Sequence, residues 1–101
     1  MDYKKVIQEN IEILKRHGIK KQMIIWVEEL SELTKVICKW SRAYDELEGD
    51  ITPQLLSDFH DEITDVTISL DQIKYAIGFM EDALMKKYEE KVNRQNRRDG
   101  I

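Results

Sequence analysis

The chain has one cysteine, one proline, four glycines and two histidines in 101 residues. A lone Cys38 forms no internal disulfide, and two histidines with one cysteine are too few for a dedicated zinc site. One proline and four glycines leave long stretches of backbone without an interruption, and no segment alternates with the period of a strand. No apolar run approaches the ~18 residues of a membrane helix, and the start, MDYKKVIQEN, lacks the make-up of a signal peptide. These absences predict a soluble, cytoplasmic protein with no membrane partner. The net charge of −4 argues against a general nucleic-acid binder, so no nucleic acid polymer is expected as a partner.

What remains is apolar residue at 42% and charge at 36%, above the usual quarter, which predicts compact helices with long faces in water. Residues 1–101 are expected to form a single domain with one modest core. Tyr3, Ile7, Ile11 and Leu14 form a helical stripe over residues 2 to about 16, ended by Gly18 in RHGIK. A second helix is expected from about 20 to 47. Its stripe of Trp26, Leu30, Leu33, Ile37, Trp40, Tyr44 and Leu47 keeps the 4-3 spacing of helices packed side by side. DELEGDITPQ reads as the linker, with Thr52 as N-cap and Pro53 at the first helical position of a third helix to about Ile77. Gly78 ends or kinks that helix, and a fourth covers roughly 80 to 96. The fold class expected is all-α, a four-helix, bundle-like arrangement.

Helices two and three repeat one pattern 33 residues apart. WVEELSELTKVICKW, from residue 26, lies over FHDEITDVTISLDQI, from residue 59, with Trp26 on Phe59, Leu30 on Ile63, Leu33 on Val66 and Ile37 on Leu70. In this register Glu29 falls on Glu62 and Glu32 on Asp65, so each helix carries an acidic pair three residues apart. At about 100° per residue, with Trp26 at zero, Glu29 lies near −60° and Glu32 near −120°, on a shoulder shared with Ile25 and Val36. Glu28 lands outward, beside Lys35. Two such helices packed antiparallel bring the four carboxylates to one edge of the core. There they repel one another unless a cation joins them.

An isolated acidic pair of this kind is most simply a solvated face with lysine partners. Two pairs in register, without adjacent lysines on the same stripe, favour a metal site formed by Glu29, Glu32, Glu62 and Asp65. All-oxygen ligands select Mg²⁺, with Mn²⁺ the close substitute. A di-iron bundle needs Glu-x-x-His, and here Asp65 stands three residues after Glu62.

EELSE followed by EITD resembles the EExxE…ExxD signature of the all-α nucleoside triphosphate pyrophosphatases, the MazG-like group. The similarity extends to a glutamine and a tryptophan before the first motif, a lysine after it and the closing KVNRQNRR. The resemblance implies an enzyme with that family's all-α fold. Its activity is Mg²⁺-dependent hydrolysis of a nucleoside or deoxynucleoside triphosphate to monophosphate and pyrophosphate, serving to cleanse or limit a nucleotide pool. It implies Glu29, Glu32, Glu62 and Asp65 as metal ligands, with Glu29 or Glu32 accepting the proton of the attacking water. It also implies a homodimer or homotetramer, since family members complete the pocket across subunits. Ile24, Ile25, Trp40 and Tyr44, large residues on more than one face, fit association.

Lys87, Lys91, Arg94 and Arg98 recur at 4-3-4 spacing on the last helix, beside Leu84 and Tyr88. The stripe is expected to face partly inward. It reads equally as a phosphate contact, with Lys87, Lys91 and Arg94 the candidates, and as cations complementing a helix C-terminus. Asn93 is a candidate for a sugar or base contact. Trp26 and Phe59 read as core residues before base-stacking ones. The alternatives of another class are a non-catalytic nucleotide-binding or regulatory dimerisation module and a purely structural bundle indifferent to Mg²⁺.

Overall fold

The computed structural model describes every residue of the chain except Asp45, Leu47 and Glu48. Four helices follow in order: α1 Tyr3–His17, α2 Ile19–Ala43, α3 Pro53–Ala76 and α4 Glu81–Arg98. There is no strand among the described residues. The local signals act where the sequence puts them. Asp2 caps α1 by accepting from the Lys5 N–H at 3.2 Å. Gly18, at φ 86°, takes the left-handed turn and donates its N–H to the Leu14 carbonyl at 2.8 Å. Thr52 Oγ1 accepts from the Leu55 N–H at 3.2 Å, with Pro53 opening α3. The second helix ends at Ala43, and the expected inward Leu47 lies outside the described residues.

α2 and α3 form the main packed pair, and α1 leans on both. The pair is antiparallel. Trp26 meets Gln72 near one end, and Trp40 meets Phe59 near the other, ring edge to ring face at 5.8 Å. The seam differs from the one the apolar stripe predicts. Its buried and half-buried residues on α2 run Gln22, Trp26, Glu29, Leu33, Val36, Trp40 and Ala43, again in 4-3 steps. On α3 they run Leu55, Phe59, Glu62, Val66, Ser69, Ile73 and Ala76. The helices are therefore rolled toward the acidic shoulder, so Glu29 and Glu62 occupy seam positions instead of an edge.

The cause is that each helix carries two usable faces. α1 and the polar ends of the seam take one of them. The other keeps Leu30, Ile37, Ile63 and Leu70, which stay 43 to 52% exposed. Apolar side chains left at this density are a face without a partner in the single chain.

α4 packs against none of the other three helices. A Lys74–Glu81 ion pair at 3.1 Å ties its start to the end of α3. α4 has no buried residue, Leu84 is half-buried, and Tyr88 is exposed. The basic stripe thus does not face inward, because its flanking Leu84 and Tyr88 find no apolar surface within the same chain. The radius of gyration is 17.1 Å, against about 13 Å for a compact chain of this length. The accessible surface is 8281 Å² for 12.0 kDa, about 2,300 Å² more than a compact monomer shows.

Candidate metal centre

Glu29 reaches the seam from the middle of α2, and Glu62 and Asp65 reach it from successive turns of α3. One carboxylate oxygen from each lies within 4.8 Å of the others. The helix spacing explains the convergence. Residues 62 and 65 are three apart and share a face, and the antiparallel register puts residue 29 opposite them. Oxygens around a single Mg²⁺ at about 2.1 Å lie about 3 to 4 Å apart, so a side-chain rotation brings the three within that spacing.

The electrostatics are those of an uncompensated cluster. The Glu29 carboxyl is held above the ordinary carboxylate range, first by burial and then by the neighbouring charges of Asp65, Glu62 and Glu28. Glu62 is pushed the same way, by burial first, then by Asp65 and Glu32. Glu62 Oε2 is buried without a hydrogen-bond partner. A buried oxygen that lacks a donor among three converging carboxylates fits a hard divalent cation, and so does the all-oxygen donor set.

Of the four carboxylates expected together, three meet. Glu32 does not join them: its Oε1 pairs with Lys35 Nζ at 3.0 Å, and both side chains are exposed. The helical wheel put Lys35 beside Glu28, but a four-carbon side chain three residues on reaches back over one turn. Glu32 is still close enough to raise Glu62. Glu28 is exposed, as the wheel has it.

The basic candidates lie elsewhere. Lys87, Lys91 and Arg94 line one shallow basin on α4 with Glu90 and Arg97. Asn93 is exposed on the same helix. Since α4 stands apart from α2 and α3, these residues and the carboxylates do not meet within one chain.

Behind the carboxylates the glutamine and tryptophan before the first motif, Gln22 and Trp26, join two residues that the sequence reading passed over, Gln72 and Asn10. Gln22 and Gln72 are 4% and 3% exposed. Trp26 Nε1 and Gln22 Nε2 both donate to Gln72 Oε1, at 2.8 and 3.0 Å. Gln72 Nε2 donates to Asn10 Oδ1 at 2.8 Å, and Asn10 Nδ2 donates to the Ile68 carbonyl at 3.0 Å. One network thus pins α1, α2 and α3 together. The signal was in the spacing: Gln22 stands seven residues before Glu29 and Gln72 seven after Asp65, so each amide lies two turns along the helix face of a carboxylate.

No family model matches the chain, and neither the curated proteins nor the solved structures contain a match to it. The EExxE…ExxD resemblance therefore rests on its motif residues alone. No helix among the described residues is long and apolar enough to cross a membrane.

Proposed function

We propose that the chain is a nucleoside triphosphate pyrophosphohydrolase that uses Mg²⁺, or Mn²⁺ in its place, held by Glu29, Glu62 and Asp65. The observation that carries the reading is the convergence of these three carboxylates from two helices, with Glu62 Oε2 buried and unpartnered. Bound Mg²⁺ supplies charge neutralisation at phosphate oxygens and a lowered pKa for a coordinated water. Glu29, the carboxylate that reaches the cluster from the opposite helix, is the candidate acceptor for the proton of the attacking water. Glu32, paired with Lys35 instead, would be a fourth ligand if Lys35 released it.

The working unit in this reading is a homo-oligomer. Two chains carry between them about 4,600 Å² of surface beyond that of compact monomers, inside the span that obligate dimers bury. The exposed stripe of Leu30, Ile37, Ile63 and Leu70 is apolar enough to take a second copy of itself. Association also gives α4 a surface to pack on, so that Lys87, Lys91 and Arg94 of one chain contact phosphates at the carboxylates of another, with Asn93 near the sugar or base. The charge signs suit this, basic stripe to acidic seam.

The test is release of pyrophosphate and monophosphate from the standard NTPs and dNTPs, with and without Mg²⁺, for the wild type, Glu29→Gln and Asp65→Asn. Mg²⁺-dependent release that vanishes in both variants supports the reading. Mg²⁺ binding without turnover on any substrate would turn it toward a regulatory dimerisation module, the alternative that the exposed apolar stripe favours. No Mg²⁺ binding at all leaves a structural bundle.

A further inference from the structure

Between Glu12 and Glu28 the chain holds no acidic residue, and the same interval carries Lys15, Arg16, His17, Lys20 and Lys21, all exposed. In a chain of net charge −4 this is a concentrated positive patch. Helix chemistry accounts for part of it. Lys15, Arg16 and His17 stand in the last turn of α1, where cations meet the negative end of the helix dipole. Lys20 and Lys21 stand in the first turn of α2, at the positive end, where a cation is unfavourable. That turn has no acidic residue and no side-chain cap to offset them. A placement that local helix chemistry opposes points to a use beyond the fold.

A groove of about 270 Å³ opens at the same corner, where the α1–α2 turn passes the end of α3. Leu14, Gly18, Ile19, Tyr75 and Ala76 line it, and Lys15 is its one charged residue. Lys15 Nζ stands 5.5 Å from the centre of the Tyr75 ring and 3.5 Å from Glu12 Oε1. The Glu12 pair is exposed on both sides, so a further carboxylate can share the lysine. Lys20 and Lys21 follow Ile19 directly. Ile19 and Tyr75 remain 51% and 52% exposed, two large apolar groups that the chain itself leaves uncovered. The volume falls short of the ~300 Å³ at which small-molecule sites begin, which suits one anchoring side chain better than a whole metabolite. A bilayer surface does not enter a concave slot, whereas a side chain does. The surrounding cations set the charge of what flanks that side chain.

We propose that the groove between Leu14, Ile19 and Tyr75 docks an acidic peptide segment of a protein partner. One large apolar side chain enters the groove, and carboxylates on either side of it meet Lys15, Lys20 and Lys21. A single anchor with a charged rim makes a small contact of the transient kind. The inference does not depend on the metal-centre reading, since none of these residues belongs to the carboxylate cluster.

The experiment is a fluorescence anisotropy titration of the full chain with three labelled, end-blocked peptides. DDEFEDD carries charge and anchor, DDEAEDD lacks the anchor, and KKKFKKK reverses the charge. Wild type is expected to bind DDEFEDD, to bind DDEAEDD about tenfold more weakly for want of a buried ring, and not to bind KKKFKKK. A Lys20→Glu, Lys21→Glu double variant is expected to hold DDEFEDD at least about tenfold more weakly. It should also melt at or above the wild-type temperature, because acids suit the first turn of α2. Ile19→Ser tests the groove apart from the charge. Its position already meets water, so the fold is kept, and DDEFEDD should bind more weakly while DDEAEDD is unchanged. A Lys87→Glu, Lys91→Glu variant of α4 should bind DDEFEDD within about twofold of wild type.

Equal binding of DDEFEDD and DDEAEDD overturns the inference, because charge alone would then hold the peptide without the groove. Loss of binding in the α4 variant, with the Lys20→Glu, Lys21→Glu variant unchanged, overturns it in favour of the basic stripe of α4. No binding of DDEFEDD at all overturns it as well. If vesicles of phosphatidylserine and phosphatidylcholine then bind wild type and not the Lys20→Glu, Lys21→Glu variant, the corner is a lipid contact instead.

Discussion

Lys35 holds Glu32 at 3.0 Å on the outside of the α2–α3 pair, one turn from the carboxylates of Glu29, Glu62 and Asp65. The pair is exposed on both sides, so it is worth about 1 kcal/mol or less. A divalent ion offers Glu32 more than that. Replacing Lys35 by methionine frees Glu32 and removes a positive charge from the neighbourhood. Mg²⁺ affinity should then rise by up to about fivefold, which corresponds to that ~1 kcal/mol. Titration calorimetry of Lys35→Met against wild type reads it. A weaker site in the variant would mean that Lys35 orders the centre and does not compete with it.

The raised carboxyls make a statement about stability without metal. The folded chain keeps protons on Glu29 and Glu62 at pH values where the unfolded chain has already released them. Folded molecules therefore bind more protons in that window, and unfolding free energy falls as pH rises through it. The contribution is fully present below the ordinary glutamate value of about 4.3 and is lost above the raised folded values. In EDTA the melting temperature should drop as pH rises above about 4 more steeply for wild type than for a Glu29→Gln, Glu62→Gln double variant. Saturating Mg²⁺ at pH 7 should restore wild type and leave the double variant unmoved. A parallel pair of pH curves in EDTA would show that the two carboxyls are not strained by their neighbours.

Helix number, order and ends were legible in the sequence to within a few residues, because Gly18, Thr52–Pro53 and Gly78 act through local backbone chemistry; the Asp2 cap of α1 was not read. The acidic repeat was legible too, since residues three apart on a helix must share a face. What was not legible is the roll of the helices about their axes. α2 carries two 4-3 stripes that share Trp26 and Leu33, 26-30-33-37 and 22-26-29-33, α3 carries a similar pair, and periodicity alone gives the apolar one the core. The chain instead places the mixed stripe in the seam, where Gln22, Trp26, Gln72 and Asn10 hydrogen-bond to one another, and leaves Leu30 and Ile63 outside. Such a choice depends on which polar groups find partners across helices, and on association with other chains. The position of α4 was hidden for the same reason.

The carboxylate variants bear on chemistry directly. In the proposed centre Glu29→Gln or Asp65→Asn removes one negative ligand from three, and the several kcal/mol of transition-state stabilisation that a bound metal would supply depends on its seat. Pyrophosphate release should fall about a hundredfold or more, equivalent to ~3 kcal/mol. Both variants should still fold, because a neutral amide relieves the repulsion that raises Glu29. A variant with near wild-type turnover would remove its residue from the centre.

The exposed stripe predicts a change of assembly, not of fold. Leu30 and Ile63 occupy equivalent places in the repeat and lie on the face left open by the α2–α3 seam. A glutamate there costs little in a single chain, where the position already meets water. At the centre of an apolar interface it buries a charge without a partner, at several kcal/mol. Leu30→Glu and Ile63→Glu should therefore sediment as monomers at concentrations where wild type is a dimer or larger, and retain wild-type helix content by circular dichroism. On the proposed function they should also lose pyrophosphohydrolase activity while still binding Mg²⁺, because the basic stripe of α4 would no longer be held against a partner's carboxylates. Wild type sedimenting as a monomer would instead leave the stripe and α4 without their expected surface, and the phosphate contacts of Lys87, Lys91 and Arg94 without a means of reaching the metal centre.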